Sequence, residues 1–162
     1  MKIKSNSLNT TSDFLLFMGW DTFLNLCQDY QEKDIQRFMQ AYDFARQELQ
    51  GKKRISGEPF VEHALRVASI LAENKAVPEV IIAGLLHGAL TTENKNDIKD
   101  LFGEEVLLLV QGENEIKQLK SKNKQLEAEA LRKIILMTLK DFRVILIKLA
   151  IKLDNLRTIE VL

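Results

Sequence analysis

Ser56-Gly57-Glu58-Pro59-Phe60-Val61-Glu62-His63-Ala64-Leu65-Arg66-Val67-Ala68-Ser69-Ile70-Leu71 is the stretch whose reading decides the fold. Ser56 offers a side-chain cap, Glu58 an acid for the first turn, and Pro59 a residue that needs no N–H there. Together they predict a helix start. Phe60, Ala64, Val67, Ala68 and Leu71 then fall on one face at helical spacing. Downstream, Pro78 and Glu79 open a second helix running to about Leu90. Its residues Val80 to Leu86 are apolar all round, which predicts burial on every side and places His87 inside the molecule. Upstream, Ile35, Phe38, Tyr42, Ala45 and Leu49 recur at steps of three and four until Gly51, and Phe14 to about Tyr30 reads as a first helix.

The same logic carries to the C-terminus. Asp97 to Phe102 predicts a short helix ended by Gly103, and Glu104 to Gln111 another ended by Gly112. A polar stretch with Lys117, Lys120, Lys122 and Lys124 reads as a solvated connection. From about Gln125 the chain reads as helical to its end. Asp141 is a cap between two helices, and Phe142 to Leu156 is apolar nearly all round and expected at the centre of the core. Seven Gly and two Pro are too few for the turns of a sandwich or barrel. The expected fold class is all-α, a helical bundle without strands.

Composition narrows the function. The 162 residues suit one domain, and 46% apolar with 28% charged residues is an ordinary globular balance. Lys plus Arg and Asp plus Glu both number 23, so the net charge is zero, which disfavours nucleic-acid coating. Cys27 is the single cysteine, which excludes a disulfide scaffold or a Cys-rich zinc site. The apolar run Phe14 to Trp20 is too short for a signal or a membrane span, so a cytoplasmic protein without membrane partners is the expectation.

Two features carry candidate chemistry. His63 and His87 are the only histidines and lie on different helices. A bundle core can bring such residues together as metal ligands. Spacing alone favours histidines satisfied by backbone or carboxylate, since no tight ligand motif such as His-Glu-x-x-His is present. Lys52, Lys53 and Arg54 beside a helix N-terminus form either an anion-binding surface or a solvated loop.

Arg54-Ile55-Ser56-Gly57-Glu58-Pro59-Phe60-Val61-Glu62-His63 resembles the R-x-S-G-E-P-Y-x-x-H motif of the RelA/SpoT-homologue family, bacterial enzymes that make and hydrolyse the alarmone (p)ppGpp. The resemblance continues in order through Leu85-Leu86-His87-Gly88, Leu101-Phe102-Gly103, Leu131-Arg132-Lys133, Asp141 to Ala150, and Leu153-Asp154-Asn155-Leu156-Arg157-Thr158. It covers about Ile35 to Leu162. It implies an N-terminal HD-type hydrolase domain, an HD-domain-like helical bundle in which a divalent metal, usually manganese, supports removal of the 3′-pyrophosphate. On this resemblance residues 1–30 are an N-terminal helical extension and 31–162 the hydrolase-like domain. Further helices and a GTP pyrophosphokinase domain are expected beyond it, with the chain read as C-terminally truncated.

The resemblance also assigns residues. His63 and His87 stand at two metal-ligand positions, but Gly88 and Ile151 replace the two ligating carboxylates, and Thr91 and Thr92 replace the two catalytic acids. Asp154 and Glu93 lie near the lost acids, each displaced by a spacing that rotates it off the original direction. Arg54, Ser56, Asn155 and Thr158 match nucleotide-contacting residues, with Lys53 beside them. Ile55 replaces a usual Lys. Two neutral imidazoles offer no charge against a +2 ion, so no resident cofactor is expected unless a residual manganese site functions. Three readings stay open. They are a regulatory module that still binds (p)ppGpp or GDP, a residually active metal-dependent (p)ppGpp pyrophosphohydrolase, and a purely structural helical domain packing against a synthetase domain or another copy of itself.

Overall fold

A computed structural model describes residues 11–118, 131–132, 135–136 and 141–159. The described residues form α1 (Thr11–Leu26), α2 (Glu32–Glu48), α3 (Phe60–Glu73), α4 (Pro78–Leu86), α5 (Lys95–Phe102), α6 (Glu104–Gln118) and α7 (Arg143–Ile159). Among them the only β pairing is an isolated bridge between Lys53 and Pro59, which pinches the loop before α3. The fold is the all-α bundle that the apolar periodicity predicts.

The apolar helix α4 lies at the centre. It packs against α2, α3, α6 and α7, and Val80 to Leu86 are all buried. Each fully buried Ile or Leu contributes roughly 1.5–3 kcal/mol relative to exposure. Gly84 sets the approach of α3 to α4, since a Cβ there would lie 2.7 Å from Leu71 Cδ1. Helix α1 packs on α3 and joins the core through Phe23. Trp20 stacks on Tyr42 of α2 with ring centroids 4.5 Å apart. Between α6 and α7, Lys148 Nζ donates to Glu113 Oε1 at 2.9 Å, and Glu113 is itself buried.

Several local expectations change. Ser56 is exposed and does not cap α3, which begins later, at Phe60, with Pro59 as its N-cap. The bridge and the bonds Arg54 N to Glu58 O and Phe60 N to Lys52 O hold residues 52–60 in a closed loop instead of an early helical turn. Gly112 does not stop α6, which runs on to Gln118. One helical Gly costs only about 1 kcal/mol against Ala, less than burying Ile116 in the next turn returns. Helix α4 ends at Leu86, so His87 follows the helix instead of lying within it, but it is buried as expected.

The largest revision concerns α7. Asp141 caps it as predicted, its Oδ1 accepting from Arg143 N at 3.0 Å. This helix buries Val144, Ile147, Ala150, Ile151 and Asp154 and packs Ile145 partly against the core, while Phe142 just before it and Leu146, Leu149, Leu153 and Leu156 on it are exposed as a stripe on its outer face. Of the Lys-rich stretch, Lys117 falls inside α6, and Lys120, Lys122 and Lys124 lie outside the described residues. Leu131, Arg132, Ile135 and Leu136 are helical, as the reading from Gln125 expects. The other residues of that expected helix lie outside the described residues.

Candidate functional site

Three elements build the site: the loop 52–60 with the start of α3, the turn after α4, and the last two turns of α7. His63 projects from the first turn of α3 and His87 from the residue just after α4, and both are buried. Their ring centroids are 4.9 Å apart at an interplanar angle of 82°. The tertiary structure therefore brings the two histidines together, as the metal-ligand reading requires.

Each imidazole is held at the same nitrogen. His63 Nδ1 lies 2.6 Å from Asp154 Oδ2, and His87 Nδ1 lies 2.5 Å from the Gly84 carbonyl oxygen. Both partners are acceptors, so Nδ1–H is the donor in each ring, and the lone pair of the neutral ring sits on Nε2. Such anchoring through the second nitrogen is how metal-ligating histidines are held.

The rest of the donor set does not match a manganese centre. Manganese favours carboxylate and other oxygen ligands. Ile151 is buried among apolar residues, and Gly88 has no side chain. Among the described residues no group of three or more His, Cys, Asp and Glu side chains is placed to hold a metal ion. Gly88 has φ +79°, and a Cβ built on it would lie 2.7 Å from Phe60 Cε1. The Phe60 ring packs against both histidines, with centroids 5.3 Å from each. The two imidazoles are thus lined on one side by an aromatic ring.

Thr91, one of the two residues at the expected acid positions, has a structural use. Asn94 Oδ1 accepts from Thr91 N at 2.8 Å, and Thr91 Oγ1 accepts from Asn94 N at 3.2 Å. Asn94 is buried, and its Nδ2 donates to Glu48 Oε2 and to the Ala89 carbonyl. The pair therefore closes the turn into α5. Thr92 and Glu93 are exposed.

Arg54, Asn155 and Thr158 come together. Arg54 Nη2 donates to Asn155 Oδ1 at 2.7 Å, and Nη1 donates to Thr158 Oγ1 at 3.2 Å and to Glu58 Oε1 at 2.5 Å. Ser56 and Lys53 are exposed on the same loop, and Lys52 Nζ reaches the Gly88 carbonyl at 3.4 Å.

Sequence reasoning missed Arg66, Glu58 and the full role of Asp154. Arg66 Nε donates to Asp154 Oδ1 at 2.7 Å, and Nη2 donates to Glu58 Oε1 at 2.8 Å. Two guanidiniums and two carboxylates thus form a continuous, charge-balanced network from the loop through α3 to α7. Burial pushes the Asp154 carboxyl up, but hydrogen bonds from His63 and Arg66 outweigh it and bring it down to about 2. Glu58 is likewise opposed by burial, and is held below the usual carboxylate range by hydrogen bonds from Arg66 and Arg54. The signal was available: Asp154 is the one acid in the apolar run of α7, and a buried carboxylate there requires partners.

Two clefts lie along α3 and α7. One, of about 500 Å³, opens between α1, α3 and α7 beside Arg66, Asp154 and Thr158. The other, of about 470 Å³, runs between the α3–α4 junction and the exposed stripe of α7. No helix among the described residues is long and apolar enough to cross a membrane.

Comparison with known proteins agrees with the geometry. Residues 41–162 match the model of the HD domain family. The chain is 41% identical over 144 residues to the bifunctional (p)ppGpp synthase/hydrolase SpoT of Escherichia coli K12, covering 86% of this chain and 20% of that protein. It is 46% identical over 129 residues to the guanosine-3′,5′-bis(diphosphate) 3′-pyrophosphohydrolase of Aquifex aeolicus, covering 78% of this chain and 18% of that protein. Identity to the GTP pyrophosphokinase rsh of Brucella melitensis is 40% over 125 residues, covering 75% and 17%. The chain spans about one fifth of the length of these relatives.

Proposed function

Since this chain belongs to the HD-domain family and resembles proteins named as (p)ppGpp hydrolases and synthases, we propose that it is a degenerate hydrolase domain. It does not hydrolyse (p)ppGpp but binds a guanine nucleotide and regulates a GTP pyrophosphokinase domain in an intact protein. One observation carries the reading. His63 and His87 lie side by side with Gly88, Thr91, Thr92 and Ile151 where the resemblance expects acids, and Arg54, Asn155 and Thr158 converge on one spot. A metal centre without an acid has no base to orient its water. A guanidinium held flat by Asn155 and Glu58 still offers a face on which a purine can stack.

Calorimetry with GDP and with ppGpp, each with and without manganese, tests this. The expected result is binding that manganese leaves unchanged, weakened at least about tenfold by Arg54→Ala, with no release of pyrophosphate. Manganese-dependent pyrophosphate release above that of a His87→Ala variant would instead establish a residual hydrolase. Absence of heat at millimolar nucleotide would remove the binding role.

A second reading, a helical interaction domain, is favoured by the exposed stripe on α7. Five large apolar side chains on one helix face form a patch of a kind that single soluble domains seldom leave open. On that reading Leu149→Lys disrupts association with a synthetase domain, while Arg54→Ala does not.

A further inference from the structure

We infer that the outer face of α7 is a docking seam for an amphipathic helix whose apolar stripe is flanked by Asp and Glu. This rests on the reading of the chain as an interaction domain and names the chemistry of the partner. Phe142, just before α7, and Leu146, Leu149, Leu153 and Leu156 on it follow one another at steps of four, three, four and three, and all five are exposed. That is a strict 3.5-residue repeat, the seam of a helix that packs along its length against another helix. A helix that only covers a core shows a broader stripe. In α7 the core takes a different face, through Val144, Ile147, Ala150, Ile151 and Asp154, so the seam is an additional apolar face.

The seam borders a groove. The cleft of about 470 Å³ between it and the α3–α4 junction is lined by buried Leu71, Val80 and Ala150 and by exposed Val77. A helix laid along α7 meets the leucines on one side and Val77 on the other, a helix-in-groove arrangement. Charge then selects the partner. Lys152 flanks the seam on one side, Arg143 and Arg157 on the other. Arg143 is already paired with Asp141 and Glu105, so exposed Lys152 and Arg157 set the charge of the rim. Asp154, the only acid of α7, is buried in the core. A second copy laid parallel would set Lys152 of one copy against Arg157 of the other. An antiparallel copy would set the flank of Arg143 and Arg157 against itself. Like charges at these flanking positions oppose pairing and opposite charges favour it, so the seam fits an acidic helix in preference to its own copy.

The test uses two labelled synthetic helical peptides of about four heptads, with Leu at both seam positions and either Glu or Lys at both flanking positions. Fluorescence anisotropy on the whole chain is expected to show the Glu-flanked peptide binding at least about tenfold tighter than the Lys-flanked one. Raising salt from about 0.1 M to about 1 M should narrow that preference, since the charges lie at an exposed rim. Leu149→Gln should weaken the Glu-flanked peptide at least about fivefold. Binding of neither peptide, equal binding of both, or no effect of Leu149→Gln would overturn the inference. The interaction reading falls separately, if Leu149→Lys leaves association with a synthetase domain intact.

Charge reversal keeps the inference open to refutation if Leu149→Gln does not fold. Lys152→Glu with Arg157→Glu is expected to invert the preference, making the Lys-flanked peptide the tighter ligand by at least about threefold. An unchanged preference would overturn the inference. Sedimentation checks the two other occupants, and a wild-type monomer that ignores vesicles is expected. A wild-type dimer that Leu149→Gln dissociates would make the seam a self-interface. Co-sedimentation with vesicles of phosphatidylserine and phosphatidylcholine, lost in Leu149→Gln, would make it a membrane surface. Either result would overturn the inference.

Discussion

Asp154 Oδ2 accepts a hydrogen bond from His63 Nδ1 at 2.6 Å, joining α7 to α3 across 91 residues of sequence. The same carboxylate accepts two further bonds from Arg66, Nε to Oδ1 and Nη2 to Oδ2. An HD-type metal centre of the kind the resemblance implies would tie these helices through an ion. Here a carboxylate and two cationic or polar partners make the connection directly.

Removing this carboxylate should be costly. Asp154→Ala leaves His63 Nδ1 without its acceptor and Arg66 with Glu58 alone. The expected loss is about 2–4 kcal/mol, below the full value for a broken buried pair because water reaches Arg66. Urea unfolding measures it. A change under about 0.5 kcal/mol would show that the pair does not hold the helices together in solution.

The two faces of α7 should respond very differently. Ile147 is buried and Leu149, two residues on, is exposed. Ile147→Ala is expected to cost about 2–4 kcal/mol, and Leu149→Ala no more than about 0.5 kcal/mol. Paired thermal melts decide the matter. Similar losses would place both side chains in a packed interface and contradict the observed orientation of the helix.

Asn94 provides a polar test of the turn between α4 and α5. Asn94→Ala removes donors to Glu48 and Ala89 and the acceptor for Thr91 N. Because the site is buried, the abandoned groups cannot all turn to water, and the cost should be about 2–3 kcal/mol. Hydrogen exchange at Thr91 and Asn94 should speed up first. Unchanged exchange there would show that the turn is held by other contacts.

Acid should destabilise the fold through its paired carboxylates. Burial raises Glu58 and Glu79, but hydrogen bonds lower both overall: those from Arg66 and Arg54 to Glu58, and those from its own backbone and Arg37 to Glu79. Asp141 is lowered chiefly by hydrogen bonds from Arg143. A carboxyl lowered on folding is deprotonated more readily in the native state, so the unfolded state binds more protons as pH falls. The stabilisation is fully present above the ordinary values of 4.5 for Glu and 3.8 for Asp, and is lost as pH drops through the lower native ones. Melting temperature should therefore fall between about pH 5 and pH 3, and Glu58→Gln should flatten part of that fall. A profile identical to the wild type in Glu58→Gln would remove this residue from the account.

Much of the fold was legible because its signals are local. The apolar steps through Phe38, Tyr42 and Ala45 mark α2, and the unbroken run Val80 to Leu86 marks the central α4. The motif from Arg54 to His63 and the residues at 88, 91, 92 and 151 are also plain in the chain. The structure sets His63 beside His87, and Arg54 against Asn155 and Thr158. Ser56 failed as a cap because the loop closes through backbone bonds that involve no side chain.

The sequence by itself determined the helices, the two histidines and the uncharged residues at 88, 91, 92 and 151. The tertiary structure decided what surrounds them: the Phe60 ring against Gly88, and Asp154 between His63 and Arg66. It also decided which face of α7 is covered. Periodicity is a property of a few neighbouring residues, and a helix apolar on all sides gives no sign of which side its neighbours reach. The partner of a buried acid, or the occupant of a vacated space, depends on residues brought together from distant parts of the chain, and only the packed structure fixes them.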